Sequence, residues 1–295
     1  MGAKALTNEY YSPLRYPGGK GRVADYFKHV IRENHLLDGI YVEPYAGGAS
    51  VALSLLMNEY VSKIIINDID FSIYAFWYSV LNHTEELCKM IHKVKITVSV
   101  WRKQQVIQRT RDKSGLLELG FSTFFLNRTN RSGILNGGVI GGLDQKGDWK
   151  IDARFNKTAL IARIEKIAGY KKRIELHNEN AVDLIRFLKP ILPKKTLFYF
   201  DPPYFVKGKD LYLNYYSLSD HSEVAETIAE IREQFWIVTY DNVNPIRRLY
   251  KPFRKKLFTL NYSAAKASKG EEVMIFSDNL YYKKSREIFE SGLAA

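Results

Sequence analysis

Short apolar runs that end at carboxylates or glycine turns alternate with amphipathic stretches along much of this chain. Ile40-Tyr41-Val42-Glu43 reads as a short buried strand, and Pro44 to Gly48 break it. Ala49 to Tyr60 has a helical pattern, and Lys63 to Asn67 is a second apolar strand running into Asp68. Ile69 to Leu81 is helical and rich in aromatics. Strand, glycine turn, helix and strand in that order begin a βαβ unit. The alternation resumes at Arg173 to His177. After it come a helix over 183–188, a strand over Thr196 to Phe200, a helix over 221–233, and strands over 235–240, 255–260 and 272–277. An earlier helix is expected over about 22–34.

From about residue 83 to 166 the pattern differs. Glu85 to Lys93 and Trp101 to Arg109 read as polar helices, and Ile161 to Ile167 closes the segment. Between them lie Phe124 to Gly133 and a run containing Gly137, Gly138, Gly141 and Gly142. The expected layout is an α/β core of residues 1–82 and 167–295 interrupted by an insertion of residues 83–166.

Charge narrows the class of partner. Lys+Arg 44 against Asp+Glu 32 leaves +12 over 295 residues, which favours a polyanion, most simply nucleic acid. Cys88 is the only cysteine, so an intrachain disulfide and a cysteine zinc cluster are excluded. The first twenty residues contain no apolar run of signal-peptide length, and no stretch is long and apolar enough to suggest a membrane span. No HExxH or HxE…PCxxC pattern accompanies the six histidines, which argues against hydrolytic deamination.

Asp201-Pro202-Pro203-Tyr204 ends the strand 196–200. Two prolines fix φ and remove amide donors, so a stiff turn presents a carboxylate, a carbonyl and a ring. That set suits an exocyclic amine on a planar base; the alternative is an ordinary strand-ending turn. Around Gly47, the segment 43–49 brings backbone close to a ligand. Asp68 lies 21 residues beyond Gly47, where an acid can accept from ribose hydroxyls. The third glycine of a dinucleotide fingerprint is missing, so a nucleoside ligand without a pyrophosphate fits better; a plain βα turn is the alternative. Arg102, Lys103, Arg109, Arg111 and Lys113 form a basic stretch suited to phosphates, or simply a solvated helix face. Asn127, Arg128, Asn130 and Arg131 crowd beside Gly133, and a hairpin reading base edges is expected there.

Four segments in order, RYPGGK (15–20), EPYAGGAS (43–50), FLNRTNRSG (125–133) and DPPY (201–204), resemble the DNA adenine methylase (Dam-type) family. The resemblance spans most of the chain. It implies a Rossmann-like class I methyltransferase sheet with an inserted, mainly helical DNA-recognition domain. S-adenosylmethionine would be the methyl donor and S-adenosylhomocysteine the product, without a metal. Tyr16, Lys20, Glu43, Tyr45, Gly47, Asp68 and Asp201 match cofactor positions, with Lys20 toward the methionyl carboxylate and Asp68 toward the ribose. Asp201, Pro202, Pro203 and Tyr204 would be catalytic: Asp201 and the Pro202 carbonyl accept from the adenine amine, and Tyr204 stacks on the flipped base. Asn127, Arg128, Asn130, Arg131, Ser132 and Asn136 would contact double-stranded DNA.

Departures from the family pattern sit mostly in the insertion. Tyr16 replaces a tryptophan, and Tyr45 and Ala49 replace phenylalanine and glycine. Arg131-Ser132 stands where the best-known members have an aromatic residue and asparagine, and Asn136 falls near a base-reading arginine. The GATC specificity of those members therefore does not carry over. The resemblance further implies a monomer in a prokaryotic or phage-infected cytoplasm, with a cognate restriction endonuclease as a candidate partner. An RNA adenine methyltransferase, a methyltransferase for the cytosine amine, and an inactive DNA-binding module are the rival readings. The insertion disfavours the first, Asp201 the second, and the intact turns the third.

Overall fold

A computed structural model describes residues 10–15, 23–206, 216–262 and 268–282, with backbone alone for 259–262 and 268–270. Tyr16 and Lys20 lie outside the described residues.

Seven strands form one sheet. They are β1 (Gly39–Glu43), β2 (Val61–Asn67), β3 (Ile174–His177), β4 (Thr196–Phe200), β5 (Phe235–Asp241), β6 (Arg254–Tyr262) and β7 (Ser268–Phe276). The order is β3-β2-β1-β4-β5-β7-β6, parallel except for β7, which runs antiparallel to both neighbours. This is a Rossmann-like, doubly wound sheet whose order reverses at β1. Every residue of β4 is buried, as a central parallel strand covered on both faces requires.

Helices α1 (Ala24–Glu33), α2 (Ser50–Met57), α3 (Phe71–Asn82), α8 (Ala181–Leu188), α9 (Leu218–Ala229) and α10 (Asn244–Leu249) belong to the α/β alternation. The segment 83–166 supplies α4 (Thr84–Lys93), α5 (Val98–Arg109), α6 (Leu116–Thr129) and α7 (Lys157–Ala168). Two apolar clusters cover the sheet faces. The one holding Tyr41, Tyr199, Ile237 and Met274 continues without a break into Phe121, Phe124 and Phe155 of the segment 83–166. Gly120 permits that junction, because a Cβ there would sit 2.4 Å from the Ala75 carbonyl oxygen of α3. Phe124 stacks on Phe76 across the same interface at 5.9 Å.

Helix α6 corrects the expected hairpin. Asn127 and Arg128 are helical and buried, and Asn130 is the buried residue at the helix C-terminus. Only the next turn resembles a hairpin: a bridge pairs Asn130 with Val139, and the Arg131 amide donates to Gly138. Every residue of α6 from Leu119 to Thr129 is buried. A helix enclosed on all sides shows no amphipathic stripe, so its polar positions look like a loop in sequence.

Candidate active site and DNA-facing surface

The carboxyl ends of β1, β2, β4 and β5 converge where an open α/β sheet binds ligands. Glu43 ends β1 and is buried. Helix α2 begins at Ala49, whose φ of 47° is left-handed and whose side chain offers no cap. The Glu43 carboxylate faces the Ala52 amide in the first turn of α2, a favourable place for negative charge. Burial, then the charge of Asp201, nevertheless pushes its carboxyl well above the usual range. Glu43 Oε2 has no hydrogen-bond partner among the described residues. A buried, unpartnered carboxylate oxygen favours a ligand that brings donors or positive charge.

Gly47 adopts φ 46° in the turn after β1. Its amide donates to Asp68 Oδ2 at 2.8 Å, and the Asp70 amide donates to Oδ1 at 2.9 Å. Each oxygen keeps a further lone pair, as a ribose-binding carboxylate needs. Burial, then Asp70, pushes the Asp68 carboxyl up to about 7, against the two amides. Two residues not singled out in sequence brace this turn. The Trp77 indole donates to the Gly47 carbonyl at 2.9 Å, and the Asn67 side chain donates to the Pro44 carbonyl at 2.9 Å. The Tyr45 hydroxyl accepts from Tyr216 at 3.2 Å.

Asp201 follows β4 directly and is partly exposed. Its Oδ1 accepts from the Thr239 hydroxyl on β5 at 2.6 Å. Pro202 is buried and Pro203 half-buried. The Tyr204 ring is 8% exposed, and its hydroxyl donates to the buried Glu272 of β7 at 2.7 Å. Asp241 at the end of β5 accepts from the Phe205 and Val206 amides at 3.0 and 2.9 Å. The turn expected from sequence is thus held by side chains from the next two strands, contacts without any local sequence signal.

The six expected DNA contacts divide into two groups. Asn127 accepts from the Arg15 amide at 2.7 Å and donates to the Gly133 carbonyl at 2.9 Å. Arg128 donates to the Pro13 carbonyl through Nε at 2.7 Å and through Nη2. Asn130 donates to the carbonyls of Ile134 and Leu135 and accepts from the Trp101 indole. These three buried side chains shape the loop. Arg131 and Asn136 are exposed, and Ser132 is half-buried at φ 56°. Gly133, at φ 77°, is required where a Cβ would lie 2.4 Å from the Arg15 carbonyl.

Asn136 lines a cleft of about 370 Å³ with Gln105, Gln108, Arg109 and Arg111. Arg102, Lys103, Arg109 and Lys113 of the basic stretch are exposed. A second basic group was invisible in sequence because its members are far apart. Arg15, Arg128, Arg154 and Arg163 gather around the segment 10–15, and none pairs with a carboxylate among the described residues. Burial, then Arg163, Arg15 and Arg154, lowers the Arg128 guanidinium to about 9.

A model of the D12 class N6 adenine-specific DNA methyltransferases matches residues 16–263. The chain belongs to this family. It is accordingly an adenine-specific DNA methyltransferase, and DNA is its substrate. No curated protein matches the chain. Among solved structures, it is similar to PH1948 from Pyrococcus horikoshii, with TM-score 0.42 and 9% identity over 90% of this chain and 86% of that one. A SAM-dependent methyltransferase from Agrobacterium tumefaciens gives TM-score 0.41 and 7% identity, over 87% and 61% of the two chains. The rRNA methyltransferase aviRa from Streptomyces viridochromogenes gives 0.34 and 11%, over 87% and 86%. Among the described residues, no helix of this methyltransferase is long and apolar enough to cross a membrane. Nor does any group of three or more His, Cys, Asp or Glu side chains there form a metal-holding cluster.

Proposed function

We propose that the chain methylates the exocyclic amine of an adenine flipped out of duplex DNA, with S-adenosylmethionine as donor. The observation that carries this reading is the placement of Asp201 beside Glu43 and within one sheet rim of Asp68 and the Gly47 turn. The residues present fit the cofactor. The orphaned Glu43 oxygen suits its cationic methionine end, and the spare lone pairs of Asp68 suit its ribose hydroxyls. Tyr16, Lys20 and Tyr45 are proposed as further contacts. When bound, the cofactor supplies an electrophilic methyl group and leaves as S-adenosylhomocysteine.

Adenine's amine is a poor nucleophile because its lone pair is delocalised into the ring. Asp201 and the Pro202 carbonyl accept its two hydrogens and hold the nitrogen pyramidal. Held in this way, the lone pair would be aimed at the methyl group that the bound cofactor would supply. The nitrogen afterwards loses one proton to water. Alignment of the two reacting atoms supplies much of the remaining acceleration. Pro203 keeps the turn rigid, and Tyr204 supplies the ring against which the flipped base rests.

Arg131, Ser132 and Asn136 are proposed to read base edges from the exposed turn and its neighbouring cleft, while Asn127, Arg128 and Asn130 set the shape of that turn. Arg102, Lys103, Arg109 and Lys113, together with Arg15, Arg154 and Arg163, are proposed to meet phosphates. The chain is proposed to act as a monomer in a prokaryotic cytoplasm, in some systems beside a restriction endonuclease. Transfer of tritium from methyl-labelled cofactor to duplex DNA, followed by nucleoside analysis, tests the reading. Label in N6-methyladenine supports it; label in cytosine, or none, overturns it.

A further inference from the structure

Asp201 must offer one defined oxygen to the adenine amine, and the structure contains a device that selects it. Thr239 lies on β5 in register opposite Met274 of β7, so its side chain faces the sheet side that carries Tyr199 and Met274. It is fully buried. Its Oγ1 lies 2.6 Å from Asp201 Oδ1 and 2.9 Å from the Tyr199 hydroxyl. Tyr199 is also fully buried.

A threonine hydroxyl has one hydrogen to donate and lone pairs to accept. An ionised carboxylate only accepts. The Thr239 hydrogen is therefore committed to Asp201, and the Tyr199 hydroxyl must donate to Thr239. Burial, then the charge of Asp201, raises the Tyr199 phenol well above its usual range, so it keeps the hydrogen that this direction requires. The chain runs one way: Tyr199 to Thr239 to Asp201 Oδ1.

We propose that Thr239, supported by Tyr199, is a positioning residue that pins Asp201 Oδ1 and fixes the carboxylate plane, so that Oδ2 is presented to the adenine amine. This rests on the reading of Asp201 as the amine acceptor. The direction in which each Asp201 oxygen points depends on its side-chain torsions. A charged hydrogen bond from a rigid, β-branched residue in a central strand constrains those torsions. Proline at the next two positions fixes the backbone, but it leaves the side-chain torsions open. Thr239 supplies a side-chain constraint that the proline pair lacks.

The test compares Thr239→Val, Thr239→Ala, Thr239→Ser and Asp201→Ala in the full chain. Single-turnover methylation, steady-state kcat and KM for duplex DNA, cofactor binding by calorimetry and thermal melting are measured for each. Thr239→Val keeps the shape and the strand preference but lacks the hydroxyl. Its kcat is expected to fall about 10- to 100-fold, the equivalent of one hydrogen bond to a charged group, with KM and cofactor affinity unchanged. Thr239→Ser is expected to restore most of the rate. Thr239→Ala, which crowds nothing, should match Thr239→Val; equal losses assign the effect to the hydroxyl rather than to packing. Wild-type kcat in Thr239→Val or Thr239→Ala alongside an inactive Asp201→Ala overturns the positioning role. A loss that Thr239→Ser fails to restore overturns it too. An active Asp201→Ala instead overturns the acceptor reading on which it rests.

Discussion

Cofactor affinity should rise with pH through neutrality because of Asp68. In the ligand-free protein its carboxyl is pushed up to about 7 by burial and by Asp70. Ribose hydroxyls donate to the ionised form, and a nearby cationic ligand favours it as well, so binding lowers that pKa. Binding must then release a proton when the solution pH lies below about 7. With the bound-state value well below 6, affinity is expected to be about tenfold higher at about pH 8 than at about pH 6, or about 1.4 kcal/mol. Near neutrality about half a proton should leave per ligand bound. Calorimetry in two buffers of different protonation enthalpy measures that fraction directly. Asp68→Asn should abolish the released fraction and weaken binding by at least about 1 kcal/mol. Affinity that stays flat over this range, with no buffer-dependent enthalpy, would refute the linkage. A proton release undiminished in Asp68→Asn would refute its assignment to Asp68.

Tyr204→Phe keeps the ring but removes the donor to Glu272. Denaturant unfolding should show a loss of about 1–3 kcal/mol, while single-turnover methylation changes little. DNA affinity should fall steeply with salt, and Arg154→Ala and Arg163→Ala should each make the log–log slope shallower by about 0.9 if each neutralises one phosphate; unchanged slopes place the backbone elsewhere. Gly120→Ala should lower stability by about 1–3 kcal/mol in the same unfolding assay, since its Cβ would collide with α3 backbone.

The parallel half of the fold was legible because its signals are local. Apolar runs ending at Glu43, Asp68 and Asp201 marked β1, β2 and β4, and each acid lies at the same rim. The segment 83–166 was read less well. Helix α6 is enclosed by α3 and α5, so polar residues such as Ser122, Thr123 and Asn127 occur inside it and erase the helical stripe. Asn127, Arg128 and Asn130 were expected in a hairpin, but they lie in or at the end of a buried helix and bond to carbonyls and indole. Thr239, Asp241, Glu272 and the arginine group were missed for a different reason. Each acts across the fold on a residue tens of positions away, and single-sequence patterns contain no such term.

Single-turnover transfer of a labelled methyl group to adenine in duplex DNA, at saturating cofactor, tests the central role of Asp201 most directly. Asp201→Ala is expected to reduce the rate by about 10²–10³-fold or more, with DNA binding retained through phosphate contacts remote from the turn. A near-normal single-turnover rate in that variant, with N6-methyladenine as product, would contradict the orientation of the amine by this carboxylate.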